Sequence, residues 1–181
     1  MSARDITLDL GSLPDQCELL ADTCRSIAAA ACVRLAQLRG ERDEDPVRVA
    51  SEGLDRAGTI VRMQIDEKAH ATYADPEEAT EEGAEALAIL VARQVLDRVV
   101  FRRLPKRTGA DYRMRAANTV GGDDYERLEC SGIGDGDDTG PARLREKLTQ
   151  LAAHQAHRPG HAVVTRFGRE PVEIHIGRHR P

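Results

Sequence analysis

Asp111, Glu129, Ser131, Lys147 and Gln150 are the residues of this 181-residue chain whose types and spacing can do chemistry together. Glu129 and Ser131 stand in the run Arg127-Leu-Glu-Cys-Ser-Gly132. On a strand, residues i and i+2 face the same side about 7 Å apart, which leaves Leu128 and Cys130 on the other. Asp111, in Gly109-Ala-Asp-Tyr112, opens a neighbouring strand from which it can meet Glu129. Two carboxylates in a partly dry cleft repel unless a proton or cation lies between them, so the pair predicts a Mg²⁺ (or Mn²⁺) site completed by waters and substrate phosphate. Each residue also has a plainer reading. Asp is common at turn-to-strand junctions, Lys147 shares its helix with Arg143 and Arg145 as a solvated face would, and Gln150 borders Leu151.

The elements that must position these residues follow from periodicity. Residues 5–10 alternate as a short strand, and Ser12, Pro14 and Asp15 start a helix with the stripe Cys17, Leu20, Cys24, Ile27, Ala28, Ala31, Leu35 and Leu38, closed by Gly40. Residues 41–46 form a linker, residues from Val47 a short helix, and 59–65 a strand. Asp75-Pro76-Glu77-Glu78 opens a central helix with the stripe Ala84, Leu87, Ala88, Val91 and Val95, since Asp caps, Pro suits the first turn and the carboxylates complement the helix dipole. Strands at 99–104, 110–115 and 125–130 follow, with a Gly121-Gly122 hairpin between the last two, then a helix at 142–157 and strands at 162–167 and 172–176. The order predicts an α/β (α+β) fold, a mixed central β-sheet flanked by helices. Residues 1–70 are expected to be an acidic, mainly helical accessory region, and 71–181 the core.

Helix, hairpin with an Asp, strand with Glu-x-(polar), then a helix carrying Lys and Gln resembles the PD-(D/E)xK nuclease superfamily, the restriction-endonuclease-like fold, over about residues 76–176. The resemblance implies that Asp111 and Glu129 bind the divalent metal and that Gln150 corresponds to a helix Gln of some branches. The family's lysine, two residues after the Glu, polarises the phosphate or the attacking water. Ser131 stands there, so the resemblance points to Lys147 as a migrated lysine, with Lys106 second. A helix glutamate often adds a metal ligand. Glu81 continues the stripe backward from Ala84 and Ala88, with Glu82 and Glu85 as rivals.

Composition narrows the function classes. Aromatics are 3% and Trp is absent, which argues against a base-stacking platform for single strands. No apolar run approaches the ~20 residues of a membrane span, and the N-terminus lacks a signal-peptide pattern, so a cytoplasmic protein without membrane contact is expected. The four cysteines lack a Cys-x-x-Cys pair and read as small buried hydrophobes. Residues 1–90 carry a charge of −10 and 91–181 one of +5, which assigns nucleic-acid contact to the C-terminal half, unless the halves neutralise each other where they pack. His154, His157 and His161 are separated by Pro159-Gly160 and predict no three-His metal site. The aspartates at 135, 137 and 138 repel phosphate and lack an EF-hand pattern. Three functions follow: Mg-dependent phosphodiester hydrolysis of DNA or other nucleic acid; a catalytically inactive subunit with a structural or regulatory role in a nucleic-acid-processing or defence complex; and an interaction module whose acidic N-terminal helices bind a basic protein partner. A homo-oligomer is compatible with each.

Overall fold

Apolar residues alternate with polar ones along 44–51, burying Asp45, Val47 and Val49 while Glu44, Pro46 and Arg48 face outward, and this period of two makes a strand. The computed structural model describes residues 5–121, 124–136 and 139–181. Among these, the elements run β1 (Ile6–Asp9), α1 (Leu13–Gln16), α2 (Ala21–Arg39), β2 (Glu44–Ser51), β3 (Leu54–Val61), α3 (Glu67–Thr72) and α4 (Pro76–Gln94). They continue with β4 (Arg98–Arg103), β5 (Tyr112–Ala116), β6 (Glu126–Ile133), α5 (Gly140–Ala153), β7 (Gly160–Arg166) and β8 (Val172–His179). The strands form one mixed sheet in the order β1-β3-β2-β8-β7-β6-β5-β4. Helices α2 and α4 pack on each other, α4 also lies against β6 and β7, and α5 lies against β6, β7 and β8. Central strand β7 is buried along its whole length.

From residue 76 onward the expected order of a helix, three strands, a helix and two strands is present, and Asp75 caps α4 by accepting from the amides of Glu77 and Glu78. The N-terminal part differs from expectation in three places. Residues 47–58 form a β-hairpin, not a short helix. Gly53 takes the turn at φ +76°, and the apparent helical spacing is a by-product of the two-residue alternation. The long helix expected from Ser12 is broken, because Cys17 is extended and Glu18 donates its amide to Val100 O of β4 at 2.8 Å, an anchor that no local pattern announces. Cys17 therefore is not part of α2, although its Sγ lies 3.3 Å from that of Cys24 on the helix. All four cysteines are free thiols. Third, residues 1–70 contribute β1, β2 and β3 to the same sheet, where β2 pairs in parallel with β8, so the hydrogen-bonded ladder crosses the expected boundary. Among the described residues, no helix is long and apolar enough to cross a membrane.

Small residues bring α4 close to its neighbours. A Cβ on Gly83 would stand 2.8 Å from Ala31 Cα of α2, and one on Gly132 of β6 would stand 2.3 Å from Thr80 O of α4. These absences of side chain let α4 lie directly over β6. Since overpacking a tight interface forces backbone movement, Gly83→Val is expected to lower stability by about 1–3 kcal/mol despite the poor helix propensity of glycine, read as a lower urea midpoint at unchanged slope.

Candidate active site

The register between β5 and β6 runs from Met114↔Glu126 to Tyr112↔Leu128. One residue on, the ladder changes character. Asp111 donates its amide to Leu128 O at 2.9 Å, while its carboxylate Oδ2 accepts the amide of Cys130 at 2.7 Å. A side chain thus occupies a place that a main-chain carbonyl would take in a continuing ladder. The chain preceding β5 peels away from β6, and β6 continues beside β7 alone as far as Ile133↔Arg166. Asp111 sits in the fork.

Glu129, 4% exposed, leaves β6 toward α5. Its Oε1 accepts from Lys147 Nζ at 2.7 Å and from Gln150 Nε2 at 3.1 Å. Lys147 and Gln150 are three apart on α5, hence on one face. Arg127 sets the position of that helix from the same side of β6, two residues before Glu129. Arg127 is 1% exposed, and its guanidinium donates to Leu151 O (3.0 Å), His154 O and Arg158 O (2.7 Å). A cation here satisfies carbonyls at the end of α5 that have no helical partner and complements the negative end of the helix dipole. On the opposite side, Glu85 of α4 accepts from Tyr112 Oη at 2.5 Å and from Arg103 at 2.9 and 3.1 Å.

Two cavities, of about 640 and 610 Å³, share Glu81, Glu85, Asp111 and Glu129. The first extends toward Thr80, Gly134 and Arg143, and the second toward Arg103, the turn carrying Lys106 and Arg107, and His154. Burial and the charge of Asp111 push the Glu129 carboxyl up to about 7 against the pull of Lys147. Burial also raises Asp111, opposed by the Cys130 amide and by Lys147 and Arg103. The hydrogen bond between the two carboxyls favours the proton on Glu129. At neutrality the pair is poised between sharing a proton and taking up a cation.

Lys147 and Gln150 therefore meet on Glu129, and Asp111 lines both cavities with it. Ser131 lines the first cavity beyond Glu129. Glu81 is exposed at the rim of both cavities, because the buried face of α4 runs on through Gly83 and Thr80 to Ala79 and leaves Glu81 to one side of it. Glu85 is the more enclosed, with a side chain 13% exposed, and Glu82 accepts from Tyr73 Oη at 2.7 Å. Lys106 lines the second cavity. Among the described residues, no three or more His, Cys, Asp or Glu side chains are grouped to hold a metal ion. The hard oxygens of Asp111 and Glu129 nevertheless suit Mg²⁺, which takes one or two carboxylates and completes its shell with water and phosphate. His161 is engaged by Glu126, Nδ1 to Oε2 at 3.2 Å, and this contact, ahead of Arg98, holds the Glu126 carboxyl down to about 2. Asp137 and Asp138 lie outside the described residues, as does Gly122. Sequence reasoning missed Arg127, Arg103 and Tyr112; for Arg127 the available signal was its i−2 spacing from Glu129.

A carboxyl whose pKa is raised on folding stabilises the fold fully below its ordinary value of 4.5, and loses that contribution as pH rises through about 7. The metal-free protein is therefore expected to melt a few degrees lower at pH 8 than at pH 5.5, and Glu129→Gln to flatten the difference, measured by thermal denaturation in chelator. Arg127→Met keeps apolar bulk but abandons three carbonyls, and is expected to cost about 1–3 kcal/mol by urea denaturation. No protein-family model, curated protein or solved structure matches this chain.

Proposed function

We propose that this chain is a metal-dependent phosphodiester hydrolase acting on nucleic acid, built on a restriction-endonuclease-like core. The observation that carries the reading is the meeting of Asp111 and Glu129 at the β5–β6 fork with the Lys147 ammonium 2.7 Å from Glu129. The element order from α4 to β8 supports it.

Asp111 and Glu129 would hold Mg²⁺ or Mn²⁺. Such an ion, when bound, supplies Lewis acidity and a more acidic water. The residues of the chain do the rest. Ionised Glu129 and Asp111 present two oxygen donors from opposite strands of the fork. Lys147, released from Glu129 as that charge is neutralised, turns its ammonium to a phosphate oxygen and stabilises the charge that grows there during in-line displacement of the alcohol by water. Gln150 keeps Glu129 oriented through its amide. Arg127 acts through α5 as a positioning residue.

Ser131 at the family's lysine position favours a second reading, an inactive nuclease-like subunit with a structural or regulatory role. The two separate in one assay. Plasmid and single-stranded DNA are incubated with Mg²⁺ or Mn²⁺ and the wild-type chain, Glu129→Ala, or Lys147→Ala. Hydrolysis predicts cleavage that rises between pH 6 and pH 8, as Glu129 ionises near 7, and that falls at least about 100-fold in both variants. Absence of cleavage by the wild type, or cleavage indifferent to Glu129→Ala, rejects the hydrolase at this site.

A further inference from the structure

The two cavities that share the acidic centre each carry cationic side chains beyond it. The first carries Arg34 of α2, itself 6% exposed, and Arg143 and Lys147 of α5; the second carries Arg103, Lys106 and Arg107. Beyond the shared acids the second cavity is net positive, whereas in the first Arg34 and Arg143 stand beside two further acids and Lys147 lies at the centre on Glu129. The remaining acids are Glu77 and Asp135 in the first cavity and Glu82 in the second. Glu77, Glu81, Glu82 and Glu85 all belong to α4, so this wall repels phosphate along both cavities and directs it toward the side formed by α5 and the β4–β5 turn. Each cavity has the volume of a small-ligand site.

The turn at 104–111 is built rather than loose. Leu104 donates its amide to Asp111 O at 2.7 Å, Thr108 Oγ1 lies 2.9 Å from Pro105 O and 3.0 Å from Ala110 O, and Gly109 packs so closely on His154 that a Cβ there would stand 2.6 Å away. Arg107 has φ +76°, a left-handed conformation that costs a residue with a Cβ about 1 kcal/mol or more and that Gly or Asn would adopt with less strain. Lys106 and Arg107 are both exposed, on a turn whose Asp111 is itself part of the acidic centre. A strained cation held on an ordered turn beside such a centre has a ready use if phosphates pass over it.

We infer that the substrate is a nucleic-acid strand running through both cavities, so that the bond placed at Asp111 and Glu129 is internal, with Lys106 and Arg107 holding phosphates on one side of it and Arg34 and Arg143 on the other. This rests on the hydrolase reading for the cleavage step but not for the binding of the strand. A substrate entering by an end alone would need one cavity, whereas a continuous strand needs two.

The test uses covalently closed single-stranded DNA circles and linear strands of the same sequence, with the full chain, the double variant Lys106→Ala/Arg107→Ala, and Arg178→Ala/Arg180→Ala as a control of equal charge change outside both cavities. Expected with Mn²⁺ is opening of the circle, slowed about tenfold or more by the cavity variant and unaffected by the control. In chelator, retention of the circle should fall with salt, with a logarithmic slope smaller by about 1.4 in the cavity variant, as two lost phosphate contacts on a single strand require. Linear strands shortened from their ends while circles stay intact, or a cavity variant that behaves like the control, overturns the internal-strand inference and leaves the hydrolase standing. If neither DNA is cut, the hydrolase reading fails, and the slope in chelator still decides the groove: reduced in the cavity variant it supports the inference, and unchanged it overturns it.

Discussion

A carboxylate in place of a main-chain carbonyl, Asp111 Oδ2 accepting the Cys130 amide at 2.7 Å, is the contact on which the site depends. It satisfies a strand amide that would otherwise be left unpaired where β5 leaves β6, and in doing so draws a charge into a gap between strands. Glu129 is one residue from that amide. The fork therefore enforces the closeness of two acids, and burial makes their repulsion matter, since neither can be fully rescreened by water. Lys147 offsets the cost in the absence of another cation.

The rest of the structure presses supports against this fork from both sides. Arg127 ties down the end of α5 and so decides where Lys147 and Gln150 reach. Gly132 lets α4 approach β6 within the reach of Glu85, whose carboxylate is in turn held by Tyr112 and Arg103. Rigid elements on both faces are what a site needs to hold its geometry through a reaction.

The opposite charges of the two halves find a partial account in packing. Glu18 pairs with Arg115, Glu85 with Arg103, and Arg39 and Arg42 with Glu170, each joining the acidic first half to the basic second. Of these, Glu18–Arg115 and Glu85–Arg103 use some of the cationic surface that composition had assigned to nucleic acid, whereas Arg39 and Arg42 bring first-half cations to a second-half acid. Lys106 and Arg107 remain exposed on the turn before Asp111.

Read alone, the sequence determined the elements from residue 76 onward and the four side chains that meet. Asp75-Pro76 is a local cap, the α4 stripe a local period, and Asp111, Glu129, Lys147 and Gln150 are few enough and suitably spaced to be recognised by type. What lay beyond reach depended on contacts between distant segments. The hairpin of β2 and β3 and its pairing with β8, the anchor of Glu18 on β4, and the preference for Glu85 over Glu81 as the enclosed acid each come from what packs above or beside the residue, not from its neighbours in the chain. Only the tertiary structure decided that Lys147, eighteen residues after Glu129, brings its ammonium to within 2.7 Å of that carboxylate, because the reach of a helix-borne side chain is set by where that helix is fastened, and Arg127 fastens it.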